Sequence, residues 1–290
     1  MYYYIVNPAA GRGQSKASQE RLRIRLNSLG IAGEWAVTTG PGEAGKMAAA
    51  AAASGHTTIV AVGGDDTVNE VINGLHDTAA AVGIIPMGQA NRLAGQLGIA
   101  SWQQACEVLA ARRLVSFGLI AAGQKFFVST LSLGFETDLD KTMDTATTGW
   151  RARAGQLKDS WSHARRFGTL KAKLVIDDAY TINCDLFSLS IANQKFLNPL
   201  ADNRLVVSLT DQPNRRELGS YLWQLVRHGH SPLENDASTR FLANRVVIET
   251  TPVTGIMVDG KVASRTPIAI RLTNRRIRFI TEKADVGLRS

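Results

Sequence analysis

Cysteine is scarce. Cys106 and Cys184 are the two in 290 residues, too few and too far apart for a disulfide framework or a thiolate metal cluster. They read as the ordinary thiols of a cytosolic protein. Long hydrophobic runs are missing as well. "KMAAAAAASG" (46–55) is apolar but far shorter than the ~20 residues a membrane-spanning helix needs, so it reads as a packed helix. The start, "MYYYIVNPAAGRG", has neither a basic n-region nor a long h-region, and a secretory leader is not expected. Acidic residues are outnumbered, 25 Asp and Glu against 33 Lys and Arg, for a net charge of +8. Such a surface attracts phosphate groups, nucleic acid or anionic lipid. No nucleic-acid module is recognisable, so nucleic acid is not expected as a partner. No internal repeat or low-complexity tail is present.

What is present is alternation. "YYYIVN", "EWAVTT", "TTIVAVGG" and "AVGIIPMG" are short β-rich runs, and helical patterns lie between them. Leu22, Leu26 and Leu29 recur at i, i+4 and i+7; "GEAGKMAAAAAAS" and "TVNEVINGL" follow the second and third strands. Near-continuous apolar strands alternating with helices imply a parallel sheet covered on both faces. From about Leu119 the pattern becomes many short β-branched runs, interrupted by helical patterns near 143–168 and 215–229. The expected architecture is an α/β nucleotide-binding domain over 1–120 and an antiparallel β-sandwich over 121–290, with a cleft between them. The last strand is free to return to the first domain.

Ligands of open α/β sheets sit beyond the carboxyl ends of the strands. Three turns fall there: "NPAAGRG" (7–13), "VGGDDTVNE" (62–70) and "PMGQAN" (86–91). Glycine lets backbone N–H groups approach a phosphate, and the following helix start adds a positive dipole end. A Gly-Gly-Asp turn can equally be a tight turn with a capping role. "GPGEAGKM" (40–47) fits G-x-x-x-x-G-K, but Met47 stands where a hydroxyl would bind Mg²⁺. It reads as a helix start.

In order and spacing, "NPAAGRG", "VGGDDTVNEVINGL" and "GIIPMGQANRLAGQLGI" resemble the diacylglycerol kinase catalytic family, which includes bacterial lipid kinases and the sphingosine and ceramide kinases. "LSLGFE" (131–136), "IANQ" (191–194), "NPLADNRLVV" (198–207) and "MVDGK" (257–261) extend the resemblance over nearly the whole chain. It implies ATP-dependent phosphoryl transfer to a lipid hydroxyl, with Mg²⁺ bridging the phosphates. It implies nucleotide contacts from Asn7, Gly11, Thr38, Gly63, Gly64, Asp65, Thr67, Asn69, Gly88, Gln89 and Asn91. Asp65 is the residue it places near the metal, and Asp66 is a candidate second ligand. The nucleotide and a lipid are the implied partners, with a homodimer left open.

Three positions depart from the family pattern. Asp66 replaces the last glycine of Gly-Gly-Asp-Gly-Thr; a second carboxylate at about 4 Å from a phosphate charge costs roughly 4 kcal/mol at an effective dielectric near 20. Gln89 replaces a threonine. Lys261 occupies the position of the glutamate taken as the base, which leaves Asp259 as the neighbouring carboxylate. The catalytic set is therefore Asp65, Asp259 and Lys261. The alternative is a catalytically impaired or altered nucleotide- and lipid-binding protein on the same fold. Finally, eight Lys and Arg stand against two acids between Lys141 and Lys173, interleaved with Trp150 and Trp161. A helix there could lie on an anionic leaflet through Trp150, Trp161, Arg165 and Arg166, or be a solvated helix packed on the sandwich. The expected location is cytoplasmic, with peripheral attachment to the inner membrane face.

Overall fold

Apolar strands without alternation must be covered on both faces, and this requirement organises the first part of the chain. The computed structural model describes residues 1–11, 16–139, 150–198, 201–228, 238–258 and 261–282. The chain divides into two units, Met1–Leu119 with Thr273–Ser290, and Ile120–Leu272. In chain order the first unit contains β1 (Tyr2–Val6), α1 (Lys16–Ser28), β2 (Gly33–Val37), α2 (Glu43–Ala53), β3 (Thr58–Gly63), α3 (Asp65–Leu75), β4 (Ala81–Pro86), α4 (Arg92–Gln96) and α5 (Trp102–Ala111). Next comes β5 (Leu114–Ala122), which enters the second unit.

The strands of the first unit pair in the order β2-β1-β3-β4, all parallel. Every residue of β3 and β4 is buried. Leu22 and Leu26 of α1 are buried as the spacing requires, and Leu29 is half-buried. The helix expected after the third strand starts two residues earlier than its apolar pattern, at Asp65. α2 and α3 pack backbone to backbone. A Cβ at Gly74 would collide with the Gly45 carbonyl, and one at Gly45 would sit 2.8 Å from the Glu70 carbonyl oxygen. A mid-helix glycine costs about 1 kcal/mol relative to alanine, and here that cost permits the close crossing.

The second unit holds β6 (Lys125–Phe127), β7 (Thr130–Gly134), α6 (Phe135–Leu139), α7 (Trp150–Phe167), β8 (Leu170–Ile176), β9 (Tyr180–Leu186) and β10 (Ser188–Asn193). It continues with α8 (Gln194–Leu197), β11 (Leu205–Thr210), α9 (Arg215–His228), β12 (Ser238–Ala243), β13 (Arg245–Thr251), β14 (Gly255–Val258), β15 (Lys261–Arg265) and β16 (Ile268–Ile280). One antiparallel sheet runs β12-β11-β10-β7-β14-β15; β16, β13, β8 and β9 form another antiparallel set. Alternation along β8 (Leu170, Ala172, Leu174 and Ile176 buried) sends one face inward. These residues meet Leu131, Leu189, Val207 and Ile256 of the opposing sheet in one core.

A smaller cluster lies under α6, α7 and α9. Phe135 and Phe187 stack with ring centroids 4.9 Å apart, and Tyr221 and Phe167 close edge-on. The buried Glu136 carboxylate accepts from Tyr221 Oη at 2.8 Å and Ser188 Oγ at 3.4 Å, so the charge-bearing group has hydrogen-bond partners. After β14 and β15 the chain continues into β16, whose end joins the first unit. Arg278 and Phe279 pair in parallel with Ala81 and Val82 of β4.

Candidate active site

The three turns expected at the strand ends are brought together within the first unit. A Cβ on Gly88 would stand 2.5 Å from the Gly64 Cα, and one on Gly11, whose φ is +67°, would stand 2.7 Å from the Met87 carbonyl oxygen. Side chains at these positions would push the turns apart. Close approach between loops therefore explains these glycines before any ligand is invoked. Gly63 has a different reason: the Thr67 side chain lies over it, where a Cβ would go.

The polar side chains of the turns mostly hold the turns themselves. Asn7 Nδ2 donates to Thr67 Oγ1 at 3.0 Å, and its Oδ1 accepts from the Ala9 amide at 3.0 Å. This ties the first turn to α3. Asn91 Oδ1 accepts from the Gly88 amide at 2.9 Å, and its Nδ2 donates to the Gly88 carbonyl at 2.8 Å. Asn91 sits at φ 48°, a left-handed conformation that asparagine tolerates better than most residues. Thr38 is buried, with its hydroxyl 3.4 Å from the Val6 carbonyl. The Asn69 carbonyl accepts from Asn73 Nδ2 at 2.8 Å, and Gln89 is exposed.

Asp65, expected near a metal, spans two elements. Its Oδ2 accepts from the Arg92 amide and its Oδ1 from the Leu93 amide, both at 3.0 Å. It therefore closes the start of α4, satisfying two otherwise orphaned donors and meeting the positive dipole end. Asp66, the next residue, is exposed on the first turn of α3. Among the described residues no group of three or more His, Cys, Asp or Glu could hold a metal ion. Asp259 and the side chains of Lys261 and Trp150 lie outside the described residues. Arg165 and Arg166 are exposed on α7, and Trp161 is half-buried against the aromatic cluster.

A residue the sequence reading passed over is Glu70. From α3 its carboxylate accepts from the Gly42 amide at 2.8 Å and the Ala44 amide at 3.1 Å, closing the start of α2. Glu43 accepts from the Thr39 amide and hydroxyl at 2.6 and 2.9 Å, and these bonds hold its carboxyl below the usual range. The "GPGEAGKM" segment thus has its first-turn amides engaged, in agreement with its reading as a helix start. A clue was available in the sequence, since Glu70 shares a helix face with Gly74 at i+4.

Helix starts follow β2, β3 and β4. The first is closed by Glu70 and the third by Asp65. The start of α3 has Gly64 before it, in an extended conformation at φ −97°, a residue with no side chain of its own to cap the helix. The glycine turn at Gly88 packs against Gly64 at the start of α3, where a helix start offers backbone donors and a positive dipole end.

Comparison with known proteins agrees with this geometry. Residues 1–122 match the model of the diacylglycerol kinase catalytic domain. A diacylglycerol kinase of Bacillus subtilis (strain 168) is 37% identical over 97 residues, covering 33% of this chain and 32% of that protein. This chain spans about a third of the length of the first curated relatives it matches. In fold the likeness is longer. A crystal structure of a diacylglycerol kinase from Bacillus anthracis str. Sterne superposes with a TM-score of 0.71 at 19% identity, covering 98% of both chains. An NAD kinase from Archaeoglobus fulgidus, solved in complex with ATP, gives 0.52 at 11% identity, with 98% of this chain and 94% of that one covered. Residues 1–122 are thus similar to the diacylglycerol kinase catalytic domain, and the chain shares its fold with a solved diacylglycerol kinase.

Proposed function

We propose that the protein transfers the γ-phosphoryl group of ATP to a lipid hydroxyl. The observation that carries this reading is the convergence of the glycine turns at the start of α3. Gly88 packs against Gly64, the residue before that helix, and Gly11 against Met87, while carboxylates close the starts of α2 and α4. The polyphosphate would lie along that start, over Gly11, Gly63, Gly64 and Gly88, with Thr67, Asn69 and Gln89 beside it. Asn7, Thr38 and Asn91 hold the turns in shape.

Phosphoryl transfer needs positioning and charge neutralisation more than covalent chemistry from the protein. Breaking the bond to the β-phosphate releases ADP, the lipid oxygen gains the phosphoryl group, and its proton passes to a base. Lys261 stands at the motif position of the base, so that role would fall to the neighbouring carboxylate, Asp259. Mg²⁺ typically takes one or two protein carboxylates plus substrate phosphates, so a three-residue cage is not required. Asp66, exposed on the first turn of α3, fits such a role, and the ion would neutralise its charge against the phosphates. Asp65, engaged with two amides, would keep α4 in place. Trp150, Trp161, Arg165 and Arg166 would bring the protein to the inner membrane face as a peripheral protein.

Thermal denaturation with ATP and Mg²⁺ tests the nucleotide half. At a hundredfold excess over the dissociation constant, about 2.7 kcal/mol of stabilisation is expected. No shift at millimolar nucleotide would remove ATP and the kinase reading with it. Transfer of labelled phosphate from ATP to a mixed lipid extract tests the acceptor half.

A further inference from the structure

α7 and α9 pack against each other in the second unit, and between them lies a cavity of about 220 Å³. Its lining includes Arg165, Arg215, Gln212, Trp161, Phe187 and Leu218. Among the described residues no carboxylate lines it. Two acids nearby in sequence have partners of their own. Glu217 accepts from the Asn214 amide at 2.8 Å, and Asp138 pairs with His163 Nε2 at 2.8 Å. Asp159 is exposed on α7.

Neither Arg165 nor Arg215 has an ion pair among the described residues, and both are exposed. The positive dipole end of the 14-residue helix α9 adds to their charge. Asn214 takes the Arg216 and Glu217 amides at 2.9 and 3.1 Å, so the donors left to a ligand are chiefly the two guanidinium groups. Gly219 lies beside the indole, and a Cβ there would sit in ordinary contact with Trp161 at 3.6 Å.

The outer face of α9 continues the pattern. Leu218 and Leu222 are buried, whereas Arg216 and Trp223, seven residues apart on one face, point away from that core. Trp223 is 56% exposed. A large indole left in water beside basic residues suits the boundary between headgroups and acyl chains. The cavity is smaller than the ~300–1,000 Å³ of pockets that enclose a whole small molecule. That suits a headgroup whose chains remain in the bilayer.

We propose that the α7–α9 pocket seats the phosphate-bearing headgroup of an anionic phospholipid and docks the second unit on a bilayer surface, with Trp223 as interfacial anchor. The lipid would be a docking ligand and not the phosphoryl acceptor. The proposal rests on the lipid-kinase reading only in assuming that the protein works at a bilayer.

Co-sedimentation of the full chain with vesicles tests it. Vesicles of phosphatidylcholine with phosphatidylglycerol should bind the protein, and pure phosphatidylcholine should not. Arg165→Gln with Arg215→Gln should lower the partition coefficient about tenfold or more. Removing equal charge elsewhere in the unit, with Lys171→Gln and Arg271→Gln, should cost about twofold or less. Trp223→Ala should weaken binding while leaving the melting temperature in place. Equal losses in the two double variants would overturn the pocket, and equal binding to neutral vesicles would overturn the anionic lipid. Complete displacement by millimolar inorganic phosphate would assign the pocket to a free phosphate and also overturn it. The ATP-induced thermal shift should persist in the Arg165/Arg215 variant. A wild-type protein with no ATP shift would strike the kinase reading and leave the vesicle comparison standing.

Discussion

At the scale of single residues, Asp65 separates two accounts of the same carboxylate. Both of its oxygens hold amides of α4, so Asp65→Ala should destabilise the protein by about 1–2 kcal/mol. Urea denaturation would show this as a lower midpoint at constant slope. Asp65→Asn, which keeps one acceptor oxygen, should recover part of the loss. A variant of unchanged stability with altered Mg²⁺ dependence would move Asp65 from the α4 cap to the metal. Asp66 has the opposite expectation. It is exposed, so solvent screening reduces its repulsion of a polyphosphate; Asp66→Gly should tighten metal-free ATP binding by up to about tenfold, as isothermal titration would show. Cys106 supplies a pH dependence. Burial pushes its thiol from 9.0 up to about 11. The unfolded chain loses the proton near 9.0 while the folded protein keeps it, so the contribution is intact below pH 9 and declines between 9 and 11. Urea midpoints at both ends of that window should fall less in Cys106→Ala than in the parent.

At the scale of elements, α2 and α3 cross with their backbones in close contact at Gly45 and Gly74. Gly74→Ala must either separate the helices or displace the Gly45 carbonyl. The expected cost is about 1–3 kcal/mol, in spite of alanine's better helix propensity. A stabilised variant would mean that the crossing adjusts freely. The same pair shows where legibility in the sequence ends. Strand and helix alternation marked β1 to β4 and α1 to α3, because apolar periodicity reflects which faces must leave water. The three glycine turns were legible as a set for the same reason that they meet: each follows a buried strand of one parallel sheet. What Asn7, Asp65, Glu70 and Asn91 do was not legible. Each bonds to backbone donors as well as, for Asn7 and Asn91, to other groups of the turns. Such partners lie up to 60 residues away, as with Asn7 and Thr67, and no local pattern records them. The second face of α9 was missed differently. Its leucines announced a core face, and attention to them hid Arg216 and Trp223 on the other side.

At the scale of the whole molecule, the chain's last described strand decides whether its first unit can stand alone. β16 begins in the second unit, where Arg271 pairs with Arg245 of β13, and ends beside β4 in the first. That end is more than an added edge. Ile277, Phe279 and Ile280 are buried, and Phe279 lies against Phe117 with ring centroids 6.1 Å apart. Arg276 donates from Nε and Nη2 to the Ser116 hydroxyl and carbonyl, each at 2.9 Å. Thr281 donates its hydroxyl to the Leu97 carbonyl at 2.6 Å and its amide to the Arg113 carbonyl at 3.0 Å. Three large buried apolar side chains contribute roughly 1.5–3 kcal/mol each. Their sum is comparable to the ~5–15 kcal/mol by which a domain is stable. Loss of the strand would also expose one edge of the wholly apolar β4, which invites intermolecular pairing. A fragment of residues 1–119 should therefore lack a cooperative melt, bind a hydrophobic dye and aggregate. Adding residues 273–282 through a short flexible linker should restore both the melt and, under the kinase reading, the ATP-induced shift. If 1–119 alone melts cooperatively at the temperature of the linked fragment, the closing strand contributes little. The first unit would then owe its stability to β1 through β4 and their helices.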